Sequence, residues 1–430
     1  MTTFGLISPG DTAWVLASAA LVLFMTPGLA FFYGGMVRAK NVLAMLMQNF
    51  FSMGLVSVLW AVLVYSLAFH GTGKYIGNLD LAWMHDVAKV MPTGFTQALG
   101  TTPSGFVAIH VPPLAFMAFQ LMFAIITPAL ITGAIADRMK FSAWFWFLGI
   151  WLVVVYAPVA HWVFSPAGWL FRRGALDFAG GTVVHINAGI AALAAVVVLG
   201  KRRGWPQHPM PPHMLPWTLL GAGMLWFGWF GFNAGSALGA NGLAAQAFLN
   251  TNMAAAAAML GWLLVERVKG GHATTLGAAS GAVAGLVAIT PCAGFVGGMS
   301  PIYIGLVAGA ICYLACSLKF RFGYDDALDV VGVHLVGGIV GSLLLGLFAD
   351  SAFNAAVTHE GLFNGGGWEL MGDQVLAVVS TIVWSGVLTL VICWLLGKVM
   401  PGGIRVSEED EETGLDVTQH SEVGYSLERV

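Results

Sequence analysis

Two histidines are the residues best placed to do chemistry. His185 closes the stretch D-F-A-G-G-T-V-V-H that begins at Asp177, and His334 closes D-V-V-G-V-H, which begins at Asp329. Each imidazole lies inside a long apolar run behind an aspartate, and each is followed four residues later by a glycine, Gly189 or Gly338, then by Ile190 or Ile339. An imidazole can donate at one nitrogen and accept at the other, and an unperturbed ring has a pKa of about 6.5, so it can exchange a proton near neutral pH. A lone histidine in such a run is commonly a satisfied packing residue. Two at matching places in two halves of a chain point to one shared site, and a small residue one turn away lets two helices approach closely.

Aromatic and polar side chains recur at helical spacing in other apolar runs. Phe119 and Phe123 are four residues apart and share a helix face, with Gln120 beside them. Such a pair can be ordinary packing or lipid surface. In G-W-F-G-F-N-A-G-S, residues 228–236, Trp229, Phe232 and Ser236 fall at steps of three and four. An aromatic belt explains the tryptophan but not Asn233 or Ser236. Aromatic faces attract a cation by about 0.5–2 kcal/mol, and a serine oxygen accepts a hydrogen bond from it. Yet no Asp, Glu, Lys or Arg falls in the central third of any apolar run, and no T-V-G-Y-G filter is present. A bare cation at mid-depth would cost about 2.5–3.5 kcal/mol on insertion scales. A permeant that leaves its proton behind avoids this, and ammonium has both properties.

The elements that hold these residues follow from composition. Of 430 residues, 58% are hydrophobic and 9% charged, where soluble proteins carry about a quarter charged. The chain reads as an all-α polytopic membrane protein. Runs long enough to cross about 30 Å of hydrocarbon fall near 11–35, 41–69, 113–135, 141–160, 178–200, 216–236, 245–266, 274–291, 301–318, 326–349 and 373–400. These are eleven transmembrane helices, so the ends lie on opposite sides. All but Lys74, Lys89, Arg172 and Arg173 of the 18 Lys and Arg fall on one side, which places the N-terminus outside and the C-terminus in the cytoplasm. At 1.5 Å per residue, His185 lies roughly 10–12 Å from the outer edge of its span and His334 a similar distance from the inner edge of its own. An inverted repeat of helices 1–5 and 6–10 brings both near the midplane in this way, with helix 11 peripheral. Residues 1–400 then form the transmembrane domain, with pseudo-repeats at about 11–200 and 216–349, and 401–430 a cytoplasmic tail.

The remaining features are plainer. The N-terminus lacks a basic region, so the first apolar run is expected to stay as a helix. Loop 70–112, with Pro92, Pro103, Pro112 and Pro113, is expected to cover the external face, and its His70, His85 and His110 match no zinc spacing. No metal site or cofactor is expected. Cys292, Cys312, Cys316 and Cys393 read as packing residues without a disulfide. A net charge of −3 gives no sign of nucleic acid. The acidic run Glu408–Glu412 reads as solvated, while Gly414–Tyr425 could dock on the cytoplasmic face through Leu415, Val417 and Val423.

The stretches 32–43 (F-Y-G-G-M-V-R-A-K-N-V-L), 177–189, 228–236, 280–287 (S-G-A-V-A-G-L-V) and 329–334 resemble ammonium transporters of the Amt/MEP/Rh family, on the Amt branch. The likeness runs from about residue 12 to the tail. It implies a homotrimer with one pore per subunit. It also implies that His185 and His334 are the twin pore histidines and proton relay, and that Phe123 and Phe232 are the gate closing an outer vestibule. Ser236 matches the hydroxyl that meets external ammonium; Phe119, Phe164 and Asp177 are expected to share in recruiting it, and Gln120 and Trp229 to support the vestibule, Phe119 and Gln120 lying in the segment beside it. Asp177 matches the acidic residue near the vestibule floor, and it can equally cap the helix that follows.

One departure stands out. Where the family often has H-M-V-W or H-W-V-W, this chain has H-W-V-F-S-P-A-G-W, residues 161–169, which puts Phe164 at the recruitment tryptophan and adds a residue before Asp177. Phe is the weaker cation–π partner, so external affinity is expected to be lower unless Trp162 or Trp169 takes over. The tail resembles those that meet a trimeric PII signal protein.

The function expected is non-enzymatic ammonium/ammonia transport across the lipid bilayer of the cell (inner) membrane, serving nitrogen uptake. Two alternatives are an ammonium sensor with low flux and a membrane haem-binding electron-transfer subunit with the histidines as axial ligands.

Overall fold

The computed structural model describes residues 6–96 and 107–425; Pro103 and Arg429 lie outside them. Nine helices among the described residues are long and apolar enough to cross a membrane: Pro9–Met36, Ala39–Phe69, Pro113–Ile135, Phe141–Arg173, Gly181–Leu199, Gly242–Gly270, Ser300–Phe322, Val331–Phe348 and Glu369–Val399. The architecture is that of a helical multi-pass membrane protein. The other two apolar runs are also helical, Leu215–Gly235 and Thr275–Ile289. Glycines dilute the hydropathy of the first, and the second, at 15 residues, spans only about 22 Å. A two-residue parallel pair, Phe95–Thr96 with Val107–Ala108, is the one sheet among the described residues. Buried His161 ties the start of loop 70–112 to its helix, with Nδ1 2.9 Å from the carbonyl of Ala68 and Nε2 2.7 Å from that of Gly73.

The two histidines sit on helices that begin in the same unusual way. Both open with a π-helical turn, Gly181–Ile186 and Val331–Leu335, a form that recurs where function bends a helix. The first N–H groups of any helix lack partners within it, and away from water the protein must supply them. Asp177 does so for the first helix. Its carboxylate accepts from the backbone N–H of Gly180 and Gly181, each at 2.7 Å, from that of Thr182 at 2.8 Å, and from the Thr182 hydroxyl.

On the second helix the matching cap is Asp326 and not Asp329. Oδ2 of Asp326 accepts the N–H of Val331 at 2.7 Å. Asp326 precedes His334 by eight residues, as Asp177 precedes His185. Asp329, the aspartate nearer in sequence, has a left-handed backbone (φ 62°) and turns its carboxylate to Lys319 Nζ at 2.7 Å. Burial pushes the Asp326 carboxyl up to about 6, against the pull of Lys319.

The two glycines one turn beyond the histidines set how closely these helices cross. A Cβ on Gly189 would lie 2.4 Å from the backbone N of Leu335, and one on Gly338 would lie 2.9 Å from Ile186 Cγ1 and 3.2 Å from His185 Cβ. Any larger residue would part the two helices that carry the imidazoles.

The tail is docked, which corrects the reading of its acidic run as solvated. Glu408, Glu409 and Glu412 are exposed, but Glu411 is buried, accepting from Arg405 at 2.8 Å and from the backbone N–H of Arg203 at 2.7 Å. Asp416 accepts the N–H of Ala44 at 2.8 Å, and the N–H of Leu415 donates to Asn41 Oδ1 at 2.8 Å. Leu415 is buried, whereas Val417 and Val423 remain exposed. The tail is thus held by polar bonds to Asn41, Ala44 and Arg203 more than by its apolar residues.

Two predictions follow from these caps and clamps. Glu411→Ala removes the buried partner of Arg405 and should cost the docked tail about 2 kcal/mol, read as faster limited proteolysis within 400–420 with the helical domain intact. For Asp326, the folded carboxyl holds its proton up to about 6, while the ordinary value is 3.8. Its contribution to stability is therefore complete below about pH 4 and is lost as pH rises through about 6. Asp326→Asn, which cannot ionise, should flatten that part of the fall in Tm between pH 4 and 7; parallel curves for the two proteins would contradict it.

Candidate functional site

The imidazoles of His185 and His334 face each other. Their Nδ1 atoms are 3.3 Å apart, and the rings lie with centroids 5.4 Å apart at an interplanar angle of 21°. A hydrogen bond between two like nitrogens requires one ring to donate and the other to accept, so the pair holds one proton between them. Trp229 stacks on His185 at 5.4 Å, and Phe232 lies 6.0 Å from it on a nearly parallel plane. The indole of Trp229 is itself fixed by donating to Thr290 Oγ1 at 2.9 Å. His185 Nε2 has no hydrogen-bond partner in the protein.

Both rings line a narrow cavity whose other walls are apolar or aromatic, including Leu29, Ile126, Val184 and Val283. The space open to the centre of a water-sized sphere is about 10 Å³, enough for one small molecule. Among the described residues lining it, the histidines are the only titratable groups. A haem held by this pair would need its ring plane between two imidazoles that instead contact each other. Among the described residues no group of three His, Cys, Asp or Glu could hold a metal.

Phe123 and Phe232 separate this cavity from a wider one. Their ring centroids are 4.5 Å apart, and they are 1% and 0% exposed. Phe232 lines the narrow cavity and Phe123 the wide one, so the two rings form the partition. The wide cavity holds about 400 Å³ and is lined by Gln120, Phe164, Asp177 and Ser236 among others. Ser236 donates to the carbonyl of Phe232 at 2.8 Å, which leaves its oxygen lone pairs free to accept, and Gln120 Oε1 has no partner in the protein. Burial raises the Asp177 carboxyl above its ordinary value, and the bonds from Thr182, Gly180 and Gly181 draw it back.

Phe119 stands elsewhere than the sequence suggested. It is 0% exposed and packs edge-on behind Phe123 at 5.0 Å without lining the wide cavity. Trp229 lies on the histidine side of the partition, in the narrow cavity, and packs from there against Phe232 at 5.4 Å. Phe164 meets Phe123 edge-on at 6.2 Å and does line the wide cavity. Neither Trp162 nor Trp169 takes its place. Both line a groove on the outer surface of the helix bundle, and no tryptophan is among the described residues of the wide cavity. Sequence reasoning also missed Asp326, although the shared eight-residue interval before each histidine carried the signal. At the other end of the molecule, a cavity of about 500 Å³ opens beside the start of the His334 helix, lined by Glu266, Cys316, Lys319 and Asp329.

The chain matches the family model described as Ammonium Transporter Family over residues 13–425. It is 53% identical to an ammonium transporter of Mycobacterium tuberculosis over 98% of this chain and 91% of that protein. It superposes on the crystal structure of Saccharomyces cerevisiae Mep2 with a TM-score of 0.85 at 32% identity, covering 95% of this chain and 92% of that one. A solved structure entitled Sensor Amt Protein matches with a TM-score of 0.84 at 29% identity, covering 96% and 98%. With a family model spanning nearly its whole length and a relative sharing half its residues, the chain belongs to the ammonium transporter family.

Proposed function

We propose that the protein moves ammonium across the membrane by admitting it to the wide cavity, removing its proton near the Phe123/Phe232 partition and passing ammonia between His185 and His334. The observation that carries this is the hydrogen-bonded imidazole pair in an otherwise apolar cavity the size of one small molecule. A neutral solute that donates and accepts hydrogen bonds can replace the bond the two rings make with each other. A bare cation would meet no fixed negative charge there.

In the wide cavity, the Phe164 and Phe123 faces, the Ser236 oxygen, the Gln120 oxygen and the field of Asp177 all favour a cation. Phe119 and Trp229 act by holding Phe123 and His185 in place. Asp326 occupies the corresponding position behind His334 and offers a carboxylate near the far end of the path. The orientation proposed has eleven crossings in two inverted repeats plus a peripheral helix. The wide cavity is outside, residues 1–400 are in the membrane and 401–430 form the cytoplasmic tail. The assembly proposed is a homotrimer, with the docked tail as the surface that a cytoplasmic PII signal protein would meet.

A second reading, an ammonium sensor with little flux, is favoured by the docked tail and by the likeness to a protein entitled a sensor. Methylammonium uptake into cells lacking their own transporters separates the two, since a sensor would leave uptake at the background level.

Proteoliposomes provide the direct test. His185→Ala and His334→Ala should each abolish or redirect ammonium-driven uptake relative to wild type at two external pH values. Ammonia permeability of wild-type vesicles no higher than that of empty ones, together with no current, would end the transport reading. Phe164→Trp restores the stronger cation–π partner and should lower the apparent half-saturation for ammonium about twofold to threefold, leaving the maximal rate within the same range.

A further inference from the structure

The helices Pro9–Met36 and Leu215–Gly235 pack against each other through glycines, which let the two backbones approach closely. Each of these contacts has a counterpart 200 positions along the chain. A Cβ on Gly35 would meet Thr218 as one on Gly235 would meet Ser18, and a Cβ on Gly28 would meet Leu225 as one on Gly228 would meet Met25. Positions 200 apart are therefore equivalent, and the helices cross where 25–28 of one lies on 225–228 of the other. The narrow cavity obeys the same rule. Met25, Leu29 and Phe32 line it from the first helix, and Leu225, Trp229 and Phe232 from the second.

Met25 and Leu225, nearest the crossing, stand at the middle of this cavity, where His185 and His334 also come one from each half. The imidazoles form one wall there and these two apolar side chains the other. Both are buried, at 0% and 1% exposure. Met25 occupies the space that Gly228 leaves open, since a Cβ at 228 would strike its Cγ. At Gly28 a Cβ would stand 2.9 Å from Met224 Cβ and 3.3 Å from the backbone N of Leu225. The backbones thus leave no slack, and the width of the passage is set by side chains.

We propose that Met25 and Leu225 fix the bore opposite the imidazole pair and so act as the size filter for amines, passing ammonia, slowing methylamine and turning back ethylamine. The inference rests on the transport reading above.

The histidines cannot make this distinction. A primary alkylamine keeps a lone pair and an N–H, so it satisfies a donor and an acceptor as ammonia does. Only the added carbon differs, and its rejection has to be steric. A space of about 10 Å³ holds one small molecule, and a closely fitting apolar wall discriminates a single methylene by about tenfold or more. The imidazoles do not give way, being held by their mutual bond and by Trp229. The Phe123/Phe232 partition has to open for every solute and so offers no fixed width. Met25 and Leu225 are left facing the ring pair, and their reach is the limit.

The test compares uptake of ammonium, methylammonium and ethylammonium by proteoliposomes. Each rate is corrected for empty vesicles, at an acid external pH that leaves little free amine to leak through lipid. Wild type should slow with each added carbon. Met25→Ala and Leu225→Ala should each raise the ethylammonium-to-ammonium ratio about tenfold, a quantity independent of how much protein folds. Val22→Ala, a buried truncation on the first helix that does not line the cavity, should leave the ratio unchanged. Met25→Val and Leu225→Val remove less and should move the ratio the same way by a smaller factor; they decide the matter where an alanine protein does not fold. An unchanged ratio in the variants of both positions overturns the proposal. So does an equal rise in Val22→Ala, which would mean a general loosening of the helix pair, or folded variants that carry no ammonium, which would give these side chains another task. Wild-type vesicles that move no ammonium would overturn the transport reading and this inference together, whereas unchanged ratios with ammonium still moving would end the inference alone.

Discussion

Two ring nitrogens 3.3 Å apart impose a demand that reaches through most of the molecule. The bond between them exists only while one imidazole presents a hydrogen and the other a lone pair, so the rings must come from separate helices and meet in register to a fraction of an ångström. Each helix therefore needs a fixed starting point, a fixed crossing distance and a fixed ring plane. Asp177 and Asp326 supply the first by filling the opening N–H groups of the two helices. Gly189 and Gly338 supply the second. Trp229, itself tied to Thr290, supplies the third by lying flat against His185.

The two halves supply equivalent parts, and the consequence is electrical. Each half contributes one imidazole to the middle and one carboxylate near the end of its helix, so negative charge flanks the path while the centre has none. In the proposed mechanism a cation would be favoured up to the partition at Phe123 and Phe232 and opposed beyond it by about the insertion cost of an uncompensated charge. Loss of a proton at that boundary would remove the opposing term, and the imidazole pair would then meet a solute it can bind as donor and acceptor at once.

Much of this was legible in the chain because it depends on short-range spacing. Histidine followed by glycine at i+4 states which residue lies one turn away on the same helix face, and the structure uses both glycines at that contact. Phe123 and Phe232 were legible for a weaker reason: their motifs resemble known ones, while spacing alone could not say that rings from two different helices would touch. The errors have the same origin. An i,i+4 step puts Phe119 on the face of Phe123 but does not reveal that Phe123 shields it from the cavity. Trp229 and Phe232 line the same narrow cavity, and their three-residue spacing could not say on which side of the partition that cavity lies. Asp329 drew attention because it is the aspartate nearest to His334, whereas the helix start is reached by the one three residues earlier. The tail's acidic run looked solvated because composition reports charge and neither the Arg405 side chain six residues before Glu411 nor the backbone N–H that the distant Arg203 brings to it.

The substitution at Phe164 shows how helix geometry restricts what a neighbouring residue can replace. Trp162 and Phe164 are two positions apart on one helix, about 200° around its axis, so a helix that aims one into the wide cavity must aim the other away. The surroundings fix which is which. His161 is held from both ring nitrogens by carbonyls of the segment before it, and Trp162 donates to the carbonyl of Tyr75. Rotating Trp162 inward would break its bond to Tyr75 and the one that the His161 N–H donates, each worth about 1 kcal/mol, to gain a cation–π contact of similar size. The wide cavity therefore keeps a phenyl face, with the Asp177 carboxyl and the Ser236 oxygen in its lining and no indole among the described residues there.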